Sequence, residues 1–299
     1  MLAVAFLYLC FTGTVFLGSL ILTQNHYPFF VAGARFFIAG IVLLVPYISK
    51  HKSSVWNQLP QLMCVPFFKY SFCLYTLSAI GFSWGIQYVD PVKASFSFVL
   101  SPFITALLLY FFYGEKMTMK KKYGLMIGFF AIIPILLDSN HGKVVDVPFH
   151  LSMMGYFAFS CAVLSFAYGW ILNKELYNTV HLSSTLVTGS GFIFGSSISF
   201  IYFFITHGNS MFDMRVTDDF WWLLLLFAIL TAVSYNLYSS LLKRYSPTFI
   251  SFASFLEPAF GLLYASIFLG QSISLLALIA LVTLCFGLYI FYQEELRFQ

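Results

Sequence analysis

Long apolar runs separated by short polar breaks set the pattern of this chain. A bilayer core takes about 20 apolar residues as one helix. Ten such runs fit: Leu2–Leu22, Pro28–Ile48, Pro66–Val89, Pro91–Tyr113, Tyr123–Leu137, Leu151–Leu172, Leu182–Ile205, Phe220–Leu242, Pro247–Leu269 and Ile273–Tyr292. The fifth is short and extends back toward Met119–Lys122. The connections are brief, so the pattern predicts an all-α bundle of ten transmembrane helices with no sizeable soluble domain. The first run lacks a basic segment before it and a small-x-small cleavage site, and reads as a transmembrane helix rather than a signal peptide.

Two of the runs share a plan. Pro247–Gly270 reads PTFISFASFLEPAFGLLYASIFLG, and Pro91–Gly114 reads PVKASFSFVLSPFITALLLYFFYG. Pro91, Ser95, Leu100, Pro102 and Gly114 match Pro247, Ser251, Leu256, Pro258 and Gly270 at a constant offset of 156 positions, and Gly13 falls on Gly169 at the same offset. The chain therefore reads as a duplication: a first repeat over 1–137, an external linker over 138–150, a second repeat over 151–292 and a cytoplasmic tail over 293–299. Each repeat has an odd number of helices, so the second sits upside down relative to the first. Inverted repeats recur in secondary transporters, with the substrate site near the midplane between the halves.

Charge sets the orientation. With the N-terminus inside, cytoplasmic turns hold Lys50, Lys52, Lys69, Lys116, Lys120, Lys121, Lys122, Lys174, Lys243, Arg244 and Arg297, and external turns hold only Lys93, Lys143 and Arg215. By the positive-inside rule both termini are cytoplasmic, in the inner (plasma) membrane. Only 9% of residues are charged and 60% are hydrophobic, whereas soluble domains carry about 25% charge. The net charge of +4 forms no basic stripe, which argues against nucleic-acid binding. The five cysteines show no CxxC spacing, and the six histidines fall at helix ends or in loops, so no metal site and no cofactor are expected.

Among the polar residues inside the runs, Glu257 stands out. A carboxylate at mid-helix in hydrocarbon costs roughly 2.5–3.5 kcal/mol, so it faces a cavity or a partner. Ser254, Gly261 and Tyr264 lie at i−3, i+4 and i+7 on its face. Glu257 is read as binding a cationic group of a substrate or an exchanging proton; the alternative is a neutral acid that serves packing. Pro258 beside it, and Pro102 in the first repeat, loosen their helices. Ser97, Ser101 and Thr105 form a hydroxyl stripe that either lines the cavity or bonds back to the i−4 carbonyls. Arg35, about two turns inside α-helical run two, either snorkels outward or pairs with a carboxylate or substrate. Of the aromatics, 21% of the chain, Tyr8, Tyr75, Trp84, Tyr168 and Tyr235 are the candidates to face inward, with Asn236, Asn173 and Gln87 adding polar groups. Such aromatic walls opposite a carboxylate suit cationic or heteroaromatic ligands. Gly81 and Gly85, spaced GxxxG, permit close helix approach.

The run Ala34-Arg35-Phe36 with Ile38-Ala39-Gly40, the stretch from Pro102 to Gly114-Glu115-Lys116, Gly124, Glu257-Pro258 and Gly270-Gln271 resemble the EamA family of the drug/metabolite transporter superfamily. The resemblance covers nearly the whole chain. Gln271 departs from the glutamate that Glu115 matches, and Thr12-Gly13 replaces a tryptophan-glycine pair. The resemblance implies ten helices in two five-helix repeats, a structural or gating role for Arg35, and substrates such as amino acids, amines, nucleotide-linked metabolites or S-adenosylmethionine.

Together these features predict a secondary active transporter of a small cationic or zwitterionic metabolite, working by alternating access and driven by proton coupling or counter-exchange, as a monomer or weak homodimer in the lipid bilayer. No catalytic constellation points to an enzyme. A channel, receptor-like or assembly protein without a transport cycle is the alternative.

Overall fold

Each of the ten apolar runs carries a helix in the computed structural model, which describes residues 2–24, 27–85, 87–88, 100–137, 148–179, 182–207, 216–269 and 275–296. In chain order the helices are α1 (Leu2–Gln24), α2 (Pro28–Lys50), α3 (Lys52–Leu62), α4 (Val65–Gly85), α5 (Ser101–Tyr113), α6 (Met119–Leu137), α7 (Phe149–Thr179), α8 (Ser184–His207), α9 (Phe220–Leu241), α10 (247–269) and α11 (Leu275–Leu296). All regular structure among the described residues is helical. α1, α2, α7, α8 and α9 are each long and apolar enough to cross a bilayer. This is a polytopic membrane protein. Ser97 and the rest of 89–99 lie outside the described residues, as does the predicted linker apart from its last residues.

The helices differ from the sequence reading in four places. The connection after α2 is itself a helix, α3, which meets α4 at an 82° bend. Val55 and Leu62 are buried on it, with Leu59 packed against the same core, an i, i+4, i+7 face too short to register as a span. α4 is π-helical over Phe72–Leu77, a local widening often found at functional sites. α7 runs about two turns past Leu172, to Thr179. α10 is α-helical over Pro247–Phe252, 3-10 over Ala253–Leu256 and α-helical again over Glu257–Leu269.

Helix ends follow local chemistry. Gly114 closes α5 in the left-handed region, φ 67°. Its N–H donates to the Tyr110 carbonyl at 3.0 Å, the 5→1 bond of an αL cap, and the Glu115 N–H donates to the Leu109 carbonyl at 3.3 Å. At the start of α10 the Ser246 hydroxyl accepts from the Phe249 N–H.

The helices pack pairwise: α2 on α8, α6 on α11, α1 on α9 and α4 on α7, with α1 also against α10 and α5 against α7. A ring cluster of Phe36, Tyr75, Phe192 and Tyr235, from α2, α4, α8 and α9, fills the centre.

Candidate functional site

A cavity opens where α1, α2, α4, α7, α9 and α10 converge. Phe11, Thr14 and Val15 line it from α1, Arg35 from α2, and Ser78, Ala79 and Phe82 from α4. Ala162 and Phe166 of α7, Tyr235 of α9 and Glu257 of α10 complete the wall. The space open to the centres of water-sized spheres is about 50 Å³. That holds a few waters and no metabolite.

Backbone chemistry places Glu257 at this wall. Pro258 has no N–H, so the Ser254 carbonyl loses its i+4 donor. The Glu257 N–H takes that carbonyl instead, which tightens the preceding turn to 3-10. The Glu257 carboxylate then stands at the first residue of the second α-helical piece. Among the described residues it makes no ion pair; the pair present is Lys120–Glu294 at 3.7 Å, elsewhere in the bundle.

Arg35 does not snorkel. It is 7% exposed. Its guanidinium carbon lies 4.2 Å from the centroid of the Phe36 ring and 4.6 Å from that of Phe227. The Tyr235 hydroxyl is its polar neighbour, and its Nε is buried without a partner.

The other expected residues divide. Tyr235 joins Glu257 and Arg35 at the cavity. The rest of the Glu257 face turns to α1 and packs: the Tyr264 hydroxyl donates to the Leu9 carbonyl at 3.3 Å, its ring stacks on Phe16, and Gly261 lies beside Thr12. The Ser254 hydroxyl is buried without a partner. Thr105 donates back to the Ser101 carbonyl at 2.8 Å, so the described part of the hydroxyl stripe, with buried Pro102, serves its own helix. The Tyr8 hydroxyl donates to the Ile250 carbonyl at 2.5 Å, and Tyr75 is buried against Tyr70 through their hydroxyls. Trp84 packs on Tyr88 and Tyr168 on Phe112, both away from the cavity. Asn236 leaves its Oδ1 without a partner, and Asn173 donates to Ser239. Gly81 and Gly85 let α4 approach α7: a Cβ there would stand 2.9 Å from the Ala158 carbonyl oxygen and 3.0 Å from that of Gly155. Pro258 acts through its backbone, as described above.

Sequence reasoning missed Phe11, Thr14, Ser78, Phe82 and Phe166. Phe11, Thr14 and Val15 share one helical face at i, i+3 and i+4. In a helix apolar all round, that face looks like any other.

The fold is that of a polytopic membrane protein with a small, mostly apolar cavity that carries one arginine and one glutamate. The EamA-like transporter family model matches residues 1–137 and 153–293, so the chain belongs to that family. It is a transporter, not an enzyme. A relative in Chlamydia trachomatis (serovar L2), an S-adenosylmethionine/S-adenosylhomocysteine transporter, is 27% identical over 274 residues, 90% of this chain and 82% of that protein. A probable amino-acid metabolite efflux pump of Escherichia coli K12 is 26% identical over 275 residues, 89% of this chain and 86% of the pump. A solved crystal structure shares the fold at a TM-score of 0.73 and 15% identity, over 96% of both chains.

Proposed function

We propose that this chain is a secondary transporter that exchanges or co-transports a small metabolite with a positively charged group, S-adenosylmethionine or an amino acid, through the cavity bearing Glu257. The observation that carries the reading is the Glu257 carboxylate on a cavity wall with no cation among the described residues paired to it. An unpaired carboxylate in an apolar cavity within the membrane calls for a proton or a cationic group. The relatives' substrates bear such groups, and the aromatic rings of Phe11, Phe82, Phe166 and Tyr235 around the cavity suit them. With room for waters only, this conformation is contracted, and loading needs the halves to move apart as alternating access requires.

Ten spans in two inverted repeats, over 1–137 and 151–292, remain the architecture proposed, with both termini cytoplasmic and the plasma membrane as the setting. The helix packing supports it: exchanging the repeats turns α1 on α9 into α7 on α4, and returns α2 on α8 and α6 on α11 to themselves. The cycle proposed is driven by an ion gradient or by counter-exchange, as in secondary transporters built from inverted repeats.

Counterflow tests the function. Purified protein goes into liposomes preloaded with S-adenosylmethionine, S-adenosylhomocysteine or single amino acids, with the matching labelled solute outside. Uptake of label that depends on the internal solute is expected. Uptake indifferent to every internal solute overturns the reading.

A further inference from the structure

We propose that Arg35 is a second substrate anchor that binds the carboxylate of the solute whose cationic group Glu257 holds, so the site selects an α-amino-acid zwitterion over the corresponding amine. The inference rests on the function proposed above and adds the substrate's second charge.

Three observations carry it. Arg35 and Glu257 line one cavity from α2 and α10, yet they are not within ion-pair distance of each other. Arg35 is more than nine-tenths buried, and its Nε donor has no partner among the described residues. The faces of Phe36 and Phe227 flank the guanidinium; they fix its plane but offer no acceptor in that plane. A guanidinium has five N–H donors in a fixed fork, and a carboxylate takes two of them side by side. The structure supplies one hydroxyl, Tyr235, where the fork calls for more.

The charge arithmetic points the same way. A solute with only a cationic group would answer Glu257 and leave Arg35 as a like charge in the same small, poorly solvated space. A zwitterion answers both, and the loaded cavity becomes neutral before it moves through the bilayer core. A structural arginine would turn its Nε to a backbone carbonyl or a carboxylate of the protein, and this one turns it to neither.

The test is competition in the counterflow assay. For each solute that exchanges, the parent amino acid is compared with its decarboxylated amine and its methyl ester, which keep the cationic group and lose the carboxylate. In the wild type, the parent is expected to compete at least about tenfold better than the amine or the ester, the range of one charge-assisted pair. In Arg35→Gln, that preference is expected to fall to about twofold or less, with competition by the amine retained; Arg35→Lys, which keeps the charge, should keep part of the preference. If amine and ester match the parent in the wild type, the proposal is overturned, whatever the variants do; this arm holds even if Arg35→Gln does not fold. If Arg35→Gln weakens parent and amine alike, Arg35 only supports the fold and the proposal also fails. Exchange that persists in either case leaves the transport function standing, whereas absence of all exchange removes that function itself.

Discussion

Phe36 and Phe192 lie 156 positions apart and stack on each other, with ring centroids 5.0 Å apart and 26° between planes. A residue that touches its own repeat mate is the arrangement expected beside a two-fold axis. Other contacts come in exchanged pairs. A Cβ on Gly13 would stand 3.1 Å from Leu230, and one on Gly169 would stand 2.7 Å from Leu74. Gly33 meets Phe200 and Gly189 meets Leu44. Shifting one partner of each contact forward and the other back by 156 turns one contact into the other. These pairs support the proposed inverted repeats.

The stacked rings should therefore be a stability centre. Phe36→Ala and Phe192→Ala are each expected to cost about 3–5 kcal/mol by the loss of a fully buried ring. The double variant should cost less than their sum by about 0.5–1.5 kcal/mol, the coupling of an aromatic pair. Denaturant unfolding in detergent micelles measures all three; strict additivity would show that the stacking itself contributes nothing.

Topology follows from the same repeats. A reporter fused after Gln299 should be active only as a cytoplasmic fusion, and one placed in the 138–147 segment only as an external one. The reverse pattern would mean that the lysine and arginine bias does not set the orientation.

Glu257→Gln keeps shape and hydrogen bonding but removes the charge. Exchange of a cationic or zwitterionic solute is expected to fall tenfold or more, about 1.4 kcal/mol, with thermal stability near wild type. Any dependence of uptake on an imposed proton gradient should disappear in this variant if Glu257 carries the proton. Normal transport by Glu257→Gln, together with unfolding of Glu257→Ala, would make the residue a packing group.

Two glycines should respond in opposite ways. Gly169 is pressed against Leu74, whose backbone Cα would lie 3.0 Å from an added Cβ. Gly169→Ala should destabilise by about 1–3 kcal/mol through overpacking. Among the described residues Gly261 has only the Thr12 methyl at 4.0 Å, so Gly261→Ala should be neutral or stabilise by up to about 1 kcal/mol through helix propensity. Melting temperatures of the two variants separate the cases.

Ser254→Ala removes a buried hydroxyl that has no partner, so the melting temperature should hold or rise. A drop worth more than about 1 kcal/mol would show that the hydroxyl is bonded in the folded protein.

The sequence by itself determined the class of polytopic membrane protein and the odd residue at its heart. Hydrocarbon admits backbone only as helices or closed barrels, and runs of about 20 apolar residues fit helices, so run length placed α1, α2, α7, α8 and α9, and the expense of Glu257 in an apolar run marked it as special. It also carried the 156-residue spacing of prolines and glycines on which the proposed repeats rest. What only the tertiary structure decided is which helix faces meet. In helices apolar on every side there is no polar face to orient them, so sequence could not tell that Tyr8, Tyr75 and Tyr264 pack while Thr14, Ser78 and Phe166 line the cavity. The bend after α3 and the burial of Arg35 were equally hidden. Both depend on neighbours distant in the chain: Phe227 of α9 closes over the guanidinium, and the core that takes up Val55 and Leu62 exists only once the helices have assembled.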